Sequence, residues 1–466
     1  MAALLQWLRQ DTAGLLTLSA LGIALLLFLI IRVKTEPFIA LLLAGLLVAL
    51  GAGLPVERIV GSAQSGKESL LEGGFGGILG HVTVIIGLGT LLGAVLEASG
   101  GAEVLTRRLL GAFGERRAPL AMGLSGLVFG IPVFFDIGIF VLAPLVYVAA
   151  RRSGRSILLY CLPLLAGLSV THAFLPPHPG PVALAGLLKV DMGWIIIMGL
   201  ACGIPAWLVG GVLFSSWIGR RLHLPVPEEV GAADADARTD GRPEPPLALV
   251  GTIIGIPLVL ILGATFGGML LPRGSAALGV LTFLGTPAVA LTIAVLLAIW
   301  LLGLRRGMTR AEIGQLTAAS LRPVGMLLLV VGAGGFFGAV LAATGVGKAL
   351  AGALSSAGLP LIVLAYVISC ALRVAQGSAT VAIVTTGGIV APLLAGGQYT
   401  QPQLALVAVA ITAGSIIASH VNDGGFWIVS RYFGIPVKDT LRTWTVLETI
   451  LSVVGFAVAG LLSLVI

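Results

Sequence analysis

The sequence predicts an all-α integral membrane protein built as two inverted repeats. Three observations carry that prediction. Apolar runs recur along all 466 residues, the two halves share a stretch in register, and arginines flank the shared stretches unequally. Hydrophobic residues make up 58% of the chain and charged residues 10%, whereas a soluble domain carries about 25% charged residues. That composition leaves too little polar surface to solvate a globular fold. A bilayer-spanning helix needs roughly 20 apolar residues. Runs of that order lie at about 14–31, 37–53, 81–100, 157–190, 194–218, 247–271, 277–303, 323–344, 402–434 and 443–466, with longer runs at 118–149 and 357–396. The 66 glycines and 24 prolines suit closely packed and broken membrane helices. The first run is too long for the apolar part of a signal peptide and lacks a cleavage pattern after it, so it is read as the first span.

Between Leu222 and Pro246 the pattern changes. From His223 the chain reads HLPVPEEVGAADADARTDGRPEPP, polar, acidic and proline-rich. This is a solvated linker, 223–246, expected in the cytoplasm, and it separates a first repeat (1–222) from a second (247–466). Residues 87–105, GLGTLLGAVLEASGGAEVL, align without gaps on 332–350, GAGGFFGAVLAATGVGKAL, with nine of 19 positions identical. Gly87/Gly332, Gly93/Gly338 and Gly100/Gly345 are among them. Internal repeats are a recurrent device of secondary transporters.

Arginine placement sets orientation. Arg107, Arg108, Arg116 and Arg117 follow the first copy, while only Lys348 follows the second, which is preceded by Arg305, Arg306 and Arg310. Positive charge favours the cytoplasmic side, so the copies run in opposite senses. The run 118–149 has arginines at both ends, with Arg151, Arg152 and Arg155 after it, and is too long for one span and short for two. A re-entrant hairpin from the cytoplasm satisfies both facts, and 357–396 is its counterpart from outside. Hairpin tips at membrane depth must be buried in protein or line a cavity. Each repeat then holds five spans, one of them broken (157–190 and 402–434), plus one hairpin, and both termini lie outside.

Four polar constellations interrupt the apolar runs. GIPVFFDIGIF (130–140) places Asp136 in the first hairpin, where a lone carboxylate needs a cavity, a partner or a proton. THAFLPPHPGP (171–181) has four prolines that no continuous helix can pass. A half-helix starting after Pro181 would aim its positive end at an anion, with His178, Pro179 and Gly180 beside it. His172 and His178 titrate near neutral pH and are candidates for the coupled proton. In the second hairpin, LRVAQGSATVAIVTTGG (372–388) supplies Arg373, Gln376, Gly377, Ser378 and Thr380. A half-helix beginning there would offer free N–H groups and hydroxyls to a carboxylate. Arg373 is either a counter-ion for the substrate or an interfacial snorkelling residue. SHVNDGGFW (419–427) packs His420, Asn422 and Asp423 before two glycines. His420 and Asp423 share a face if the segment is helical, but the double glycine favours unwinding. The substrate carboxylate is expected at the two half-helix starts, hydroxyl recognition at Asn422, and the proton on Asp136, His172, His178, His420 or Asp423.

Other classes fit poorly. The histidines lack HExxH spacing and no GxSxG occurs, so no enzyme is read. Cys161, Cys202 and Cys370 are far apart, with no CxxC pair, so neither a metal site nor a cofactor is indicated. No basic tract with interleaved aromatics points to nucleic acid. A channel needs a wetted path with charge rings, and paired broken helices favour a carrier instead.

THAFLPPHPGPVALAGLL (171–188), RVAQGSATVA (373–382) and SHVNDGGFW (419–427), with GFFGAVLAATGVG (335–347) beside them, resemble the gluconate:proton symporter family of GntP type. The resemblance implies an ion-coupled carrier of the bacterial inner membrane, of elevator type. Its hairpins and broken helices would form a moving transport domain against a scaffold, where a homodimer interface would lie. It implies proton symport of gluconate or related hexonates and hexuronates, some members carrying D-serine or other small hydroxy acids. Sodium coupling leaves little trace in sequence, and the titratable residues favour protons.

Overall fold

In the computed structural model the residues described are 7, 11–61, 69–114, 117–227, 244–272, 274–322, 324–344, 360–394, 399–420 and 423–466, and among these there is helix but no strand. The first half runs α1 (Thr12–Phe28), α2 (Pro37–Gly51), α3 (Gly77–Ala98), α4 (Gly101–Phe113), α5 (Ala118–Phe129), α6 (Phe135–Ser153), α7 (Leu158–Phe174), α8 (Pro179–Leu188) and α9 (Met192–Trp207). The second runs α10 (Leu247–Leu270), α11 (Ala276–Gly285), α12 (Pro287–Ala298), α13 (Arg310–Leu321), α14 (Val324–Ala343), α15 (Leu361–Gln376), α16 (Ala379–Leu394), α17 (Gln401–Gly414), α18 (Gly424–Tyr432) and α19 (Val437–Leu462). Among the described residues, seven helical stretches are long and apolar enough to cross a membrane.

Local chemistry sets many of these boundaries. Asp11 and Asp191 cap α1 and α9, and capping boxes of Thr309 with Glu312 and Thr400 with Gln403 open α13 and α17. Proline stands in the first turn of α2, α5, α8, α12 and α17, where no intrahelical bond is lost.

Both compound runs fold as helix pairs. Residues 130–134 join α5 to α6, and Gly377 and Ser378 join α15 to α16. Both broken spans are broken, α7 from α8 at 175–178 and α17 from α18 between 415 and 423. Thus each half has a helix pair followed by a broken helix. The run 277–303, expected as one span, is instead two helices. Thr286 takes an extended conformation (ψ 125°) ahead of Pro287, because proline disfavours the α region for the residue before it. Helix α3 begins at Gly77, earlier than expected, after a π-helical turn over Glu72–Gly76, and α4 and α13 are additional helices. Most of the predicted linker, 228–243, and the end of the second repeated stretch, 345–350, lie outside the described residues.

Burial divides the helices. α7, α8, α16 and α17 are buried almost throughout. α1, α2 and α10 to α12 turn large apolar side chains outward, Val259, Phe283 and Leu296 among them, as a lipid-facing layer requires. Small residues allow the inner helices to touch backbone to backbone. A Cβ on Gly126 of α5 would lie 2.3 Å from the Leu164 carbonyl oxygen of α7, and one on Gly414 of α17 2.7 Å from that of Tyr366 in α15. Gly126→Ala is therefore expected to force α5 off α7, at a cost of about 1–3 kcal/mol for overpacking. Thermal unfolding in detergent should show a lower midpoint, with Gly251→Ala, a position open to space, unchanged as the control.

One aligned pair, Gly93 and Gly338, meets the helix pair of its own half. A Cβ on Gly93 of α3 would come 2.4 Å from the Pro132 carbonyl oxygen in the α5–α6 connection. One on Gly338 of α14 would come 3.1 Å from that of Gly388 in α16.

Candidate functional site

Helix α15 ends where Gly377 adopts a left-handed conformation (φ 82°), which glycine takes without Cβ strain. The chain reverses there, and the Ser378 hydroxyl accepts from the Val381 amide at the head of α16, 3.4 Å away. Arg373, in the last turn of α15, is only 4% exposed. Its guanidinium donates to the Gly377 carbonyl and to the carboxylate of Asp423. The snorkelling alternative is thereby overturned: this arginine is buried and paired.

Asp423 is the N-cap of α18. One oxygen accepts from the Gly425 amide at 2.9 Å, and the other takes Arg373 and the Ser419 hydroxyl. Ser419 in turn accepts from Trp444 Nε1 of α19 at 2.7 Å. Helix α17 ends at Gly414 and α18 begins at Gly424, with 419, 420 and 423 in neither, so His420 and Asp423 do not share a helical face. His420 donates from Nδ1 to the Ala418 carbonyl (2.8 Å), and Ala418 itself is held at φ 47°.

In the first half α7 stops at Phe174, Leu175 is extended, the Pro176–Pro177 bond is cis, and His178 caps α8. The half-helix begins at Pro179, not after Pro181, because the first-turn amides have no intrahelical partner and proline loses nothing there. Buried His178 donates from Nε2 to the Gly130 carbonyl, tying the break to the α5–α6 connection. The His172 and His178 rings lie 4.9 Å apart, edge to face, and His172 Nδ1 is buried without a partner among the described residues. Asp136, in the first turn of α6, is exposed and within electrostatic range of His172.

The halves meet at Phe135, whose ring is 6.4 Å from His172 and 5.4 Å from Trp444. They meet again where Gly180 of α8 faces Ile383 of α16, 2.6 Å from a Cβ placed there. Of the residues singled out from sequence, Arg373, Gly377 and Asp423 are joined directly. His172 and His178 lie side by side, and Ser378 and Thr380 stand part-exposed at the head of α16. Asn422 and the side chain of Gln376 lie outside the described residues. Four residues escaped notice: Phe135, Ser419, Trp444 and Glu448, the last only 2% exposed on α19. Glu448 carried a readable signal, an acid inside the apolar run 443–466.

This arrangement suits an anion. A neutral buried ion pair can release its guanidinium to an incoming carboxylate, the positive end of α16 starts at Ala379, and α8 offers the Gly180 amide between two prolines.

Comparison with known proteins agrees with an anion carrier. The profile described as GntP family permease matches residues 14–465. The inner membrane permease YgbN of Escherichia coli is 43% identical over 96% of this chain and 98% of its own. A gluconate permease of Pseudomonas aeruginosa is 41% identical over 94% and 95%. Among solved structures, Neisseria gonorrhoeae MtrF, placed in a class of antimetabolite efflux pumps, shares the fold at a TM-score of 0.62, with 16% identity over 98% of this chain and 96% of that one.

Proposed function

Because the chain belongs to the GntP permease family, we propose that it is a multi-pass permease of the bacterial inner membrane that takes up gluconate or a related sugar acid together with protons. The observation that carries this reading is the buried Arg373–Asp423 pair, which links the α15–α16 connection to the break before α18. The substrate carboxylate exchanges with Asp423 at the guanidinium and meets the amides and hydroxyls of Ser378 and Thr380. The start of α8, at Pro179 and Gly180, supplies the second positive end. Asn422 and backbone groups read the hydroxyls. Asp136 admits protons from water, with His172 behind it.

The two halves act as inverted repeats, so that one site opens alternately to either side. The two helix pairs and two broken helices move as one body. The lipid-facing α1, α2 and α10 to α12 form the scaffold, which carries any homodimer interface.

Uptake of labelled gluconate into proteoliposomes, with and without an inward proton gradient at fixed sodium, tests the reading. Accumulation above equilibrium only with the gradient is the expected result. Accumulation driven by a sodium gradient alone would replace the coupling ion. Equilibration that ignores both gradients would refute symport. Competition by a hexuronate or by D-serine ranks the substrates within the class.

A further inference from the structure

Glu448 lies one helical turn beyond Trp444 on α19, and nothing above employs it. It is only 2% exposed, and its Oε1 is buried without a partner among the described residues. It belongs to none of the ion pairs among the described residues. A carboxylate taken out of water without a cation or a full set of donors is costly, and the group binds a proton instead.

Its surroundings are limited in charge. From α15 it feels Arg373 and from the head of α18 Asp423. Helix α7 presents Ser169 and, one turn on, His172. Helices α9 and α17 carry no charged side chain, and Arg220 and Arg221, at the end of the segment Ser215–Arg221, are exposed. Trp444, Glu448 and Ser452 recur every four residues and share one face of α19. Trp444 bonds Ser419, and Ser452 bonds the Tyr366 hydroxyl of α15 at 3.0 Å. Glu448 thus sits between two hydrogen-bonded anchors, on the face of α19 that leads to the Asp423 cluster.

We infer that Glu448 carries the coupled proton, at a site of its own on α19 beside the Arg373–Asp423 anion site and separate from it. The inference rests on the proton-symport reading. Charge gives the linkage. The Arg373–Asp423 pair is neutral, and a bound carboxylate leaves one net negative charge. An ionised Glu448 would add a second. Protonation of Glu448 therefore favours anion binding, and anion binding favours protonation by the same factor. The proton reaches it from exposed Asp136 through His172 and then Ser169, which shares a face of α7 with His172.

Glu448→Gln keeps the shape and removes the titration. Infrared difference spectra across a pH titration should show a protonated-carboxyl stretch in the wild type that is missing from E448Q. In proteoliposomes E448Q should still exchange labelled for unlabelled gluconate, while gradient-driven accumulation falls about tenfold or more. Ser169→Ala, which leaves the carboxyl in place, should shift the pH profile of uptake. An E448Q protein that keeps the band and the gradient-driven accumulation overturns the assignment. A wild type that has the band but ignores the proton gradient overturns the symport reading instead, because the band reports the proton whatever the substrate.

Discussion

Arg373→Ala is expected to abolish gluconate accumulation and to destabilise the protein by about 3–5 kcal/mol, the cost of stranding a buried charge. Asp423 would lose the guanidinium and keep only Ser419 and the Gly425 amide. The double variant Arg373→Ala/Asp423→Ala should recover most of that stability, since no lone charge remains, and recover none of the uptake. Thermal unfolding in detergent and uptake in proteoliposomes separate the two effects. If the single variant were as stable as the wild type and still accumulated substrate, the pair would be ornamental and the anion site would have to lie elsewhere.

Gly93→Leu is the second variant with a large expected effect. The backbone carbonyl of Pro132 lies 2.4 Å from where its Cβ would stand, and backbone cannot yield as a flexible side chain can. Under the elevator reading α3 is the surface past which the α5–α6 connection travels. Leucine there should cut the uptake rate by about tenfold or more, as a misplacement of about 1 Å does at a working site. Membrane insertion and substrate binding should be retained. Gly338→Leu in α14 should act likewise from the other half, more mildly, because its nearest neighbour is 3.1 Å away. Binding measured by tryptophan fluorescence beside uptake distinguishes a jammed carrier from a misfolded one.

Much of this is legible in the sequence. The helix-pair connections announce themselves because Gly377 and Ser378 interrupt an apolar run, and the break at 175–178 because four prolines do. The division at Thr286 could have been read from the proline that follows it, but uniform apolarity hid it. Other features leave no periodic trace. His178 is satisfied by a backbone carbonyl 48 residues away, and Ser419 by an indole 25 residues away. Arg373 illustrates the limit most sharply: its composition and neighbours are the same whether it faces lipid headgroups or Asp423, and burial alone decides.

The Arg373–Asp423 pair also bears on how the protein is made. The partners are 50 residues apart, so when α15 leaves the ribosome its counter-ion has not yet been synthesised. Arg373 stands in the last turn of α15, and an ionised side chain left unpaired at membrane depth is costly, so this helix carries an uncompensated charge until its partner follows. Neutralisation waits for Asp423, and Trp444 of α19 reaches Ser419 only after that. Synthesis therefore completes the charged centre last, and a chain truncated before Asp423 would leave Arg373 without its carboxylate.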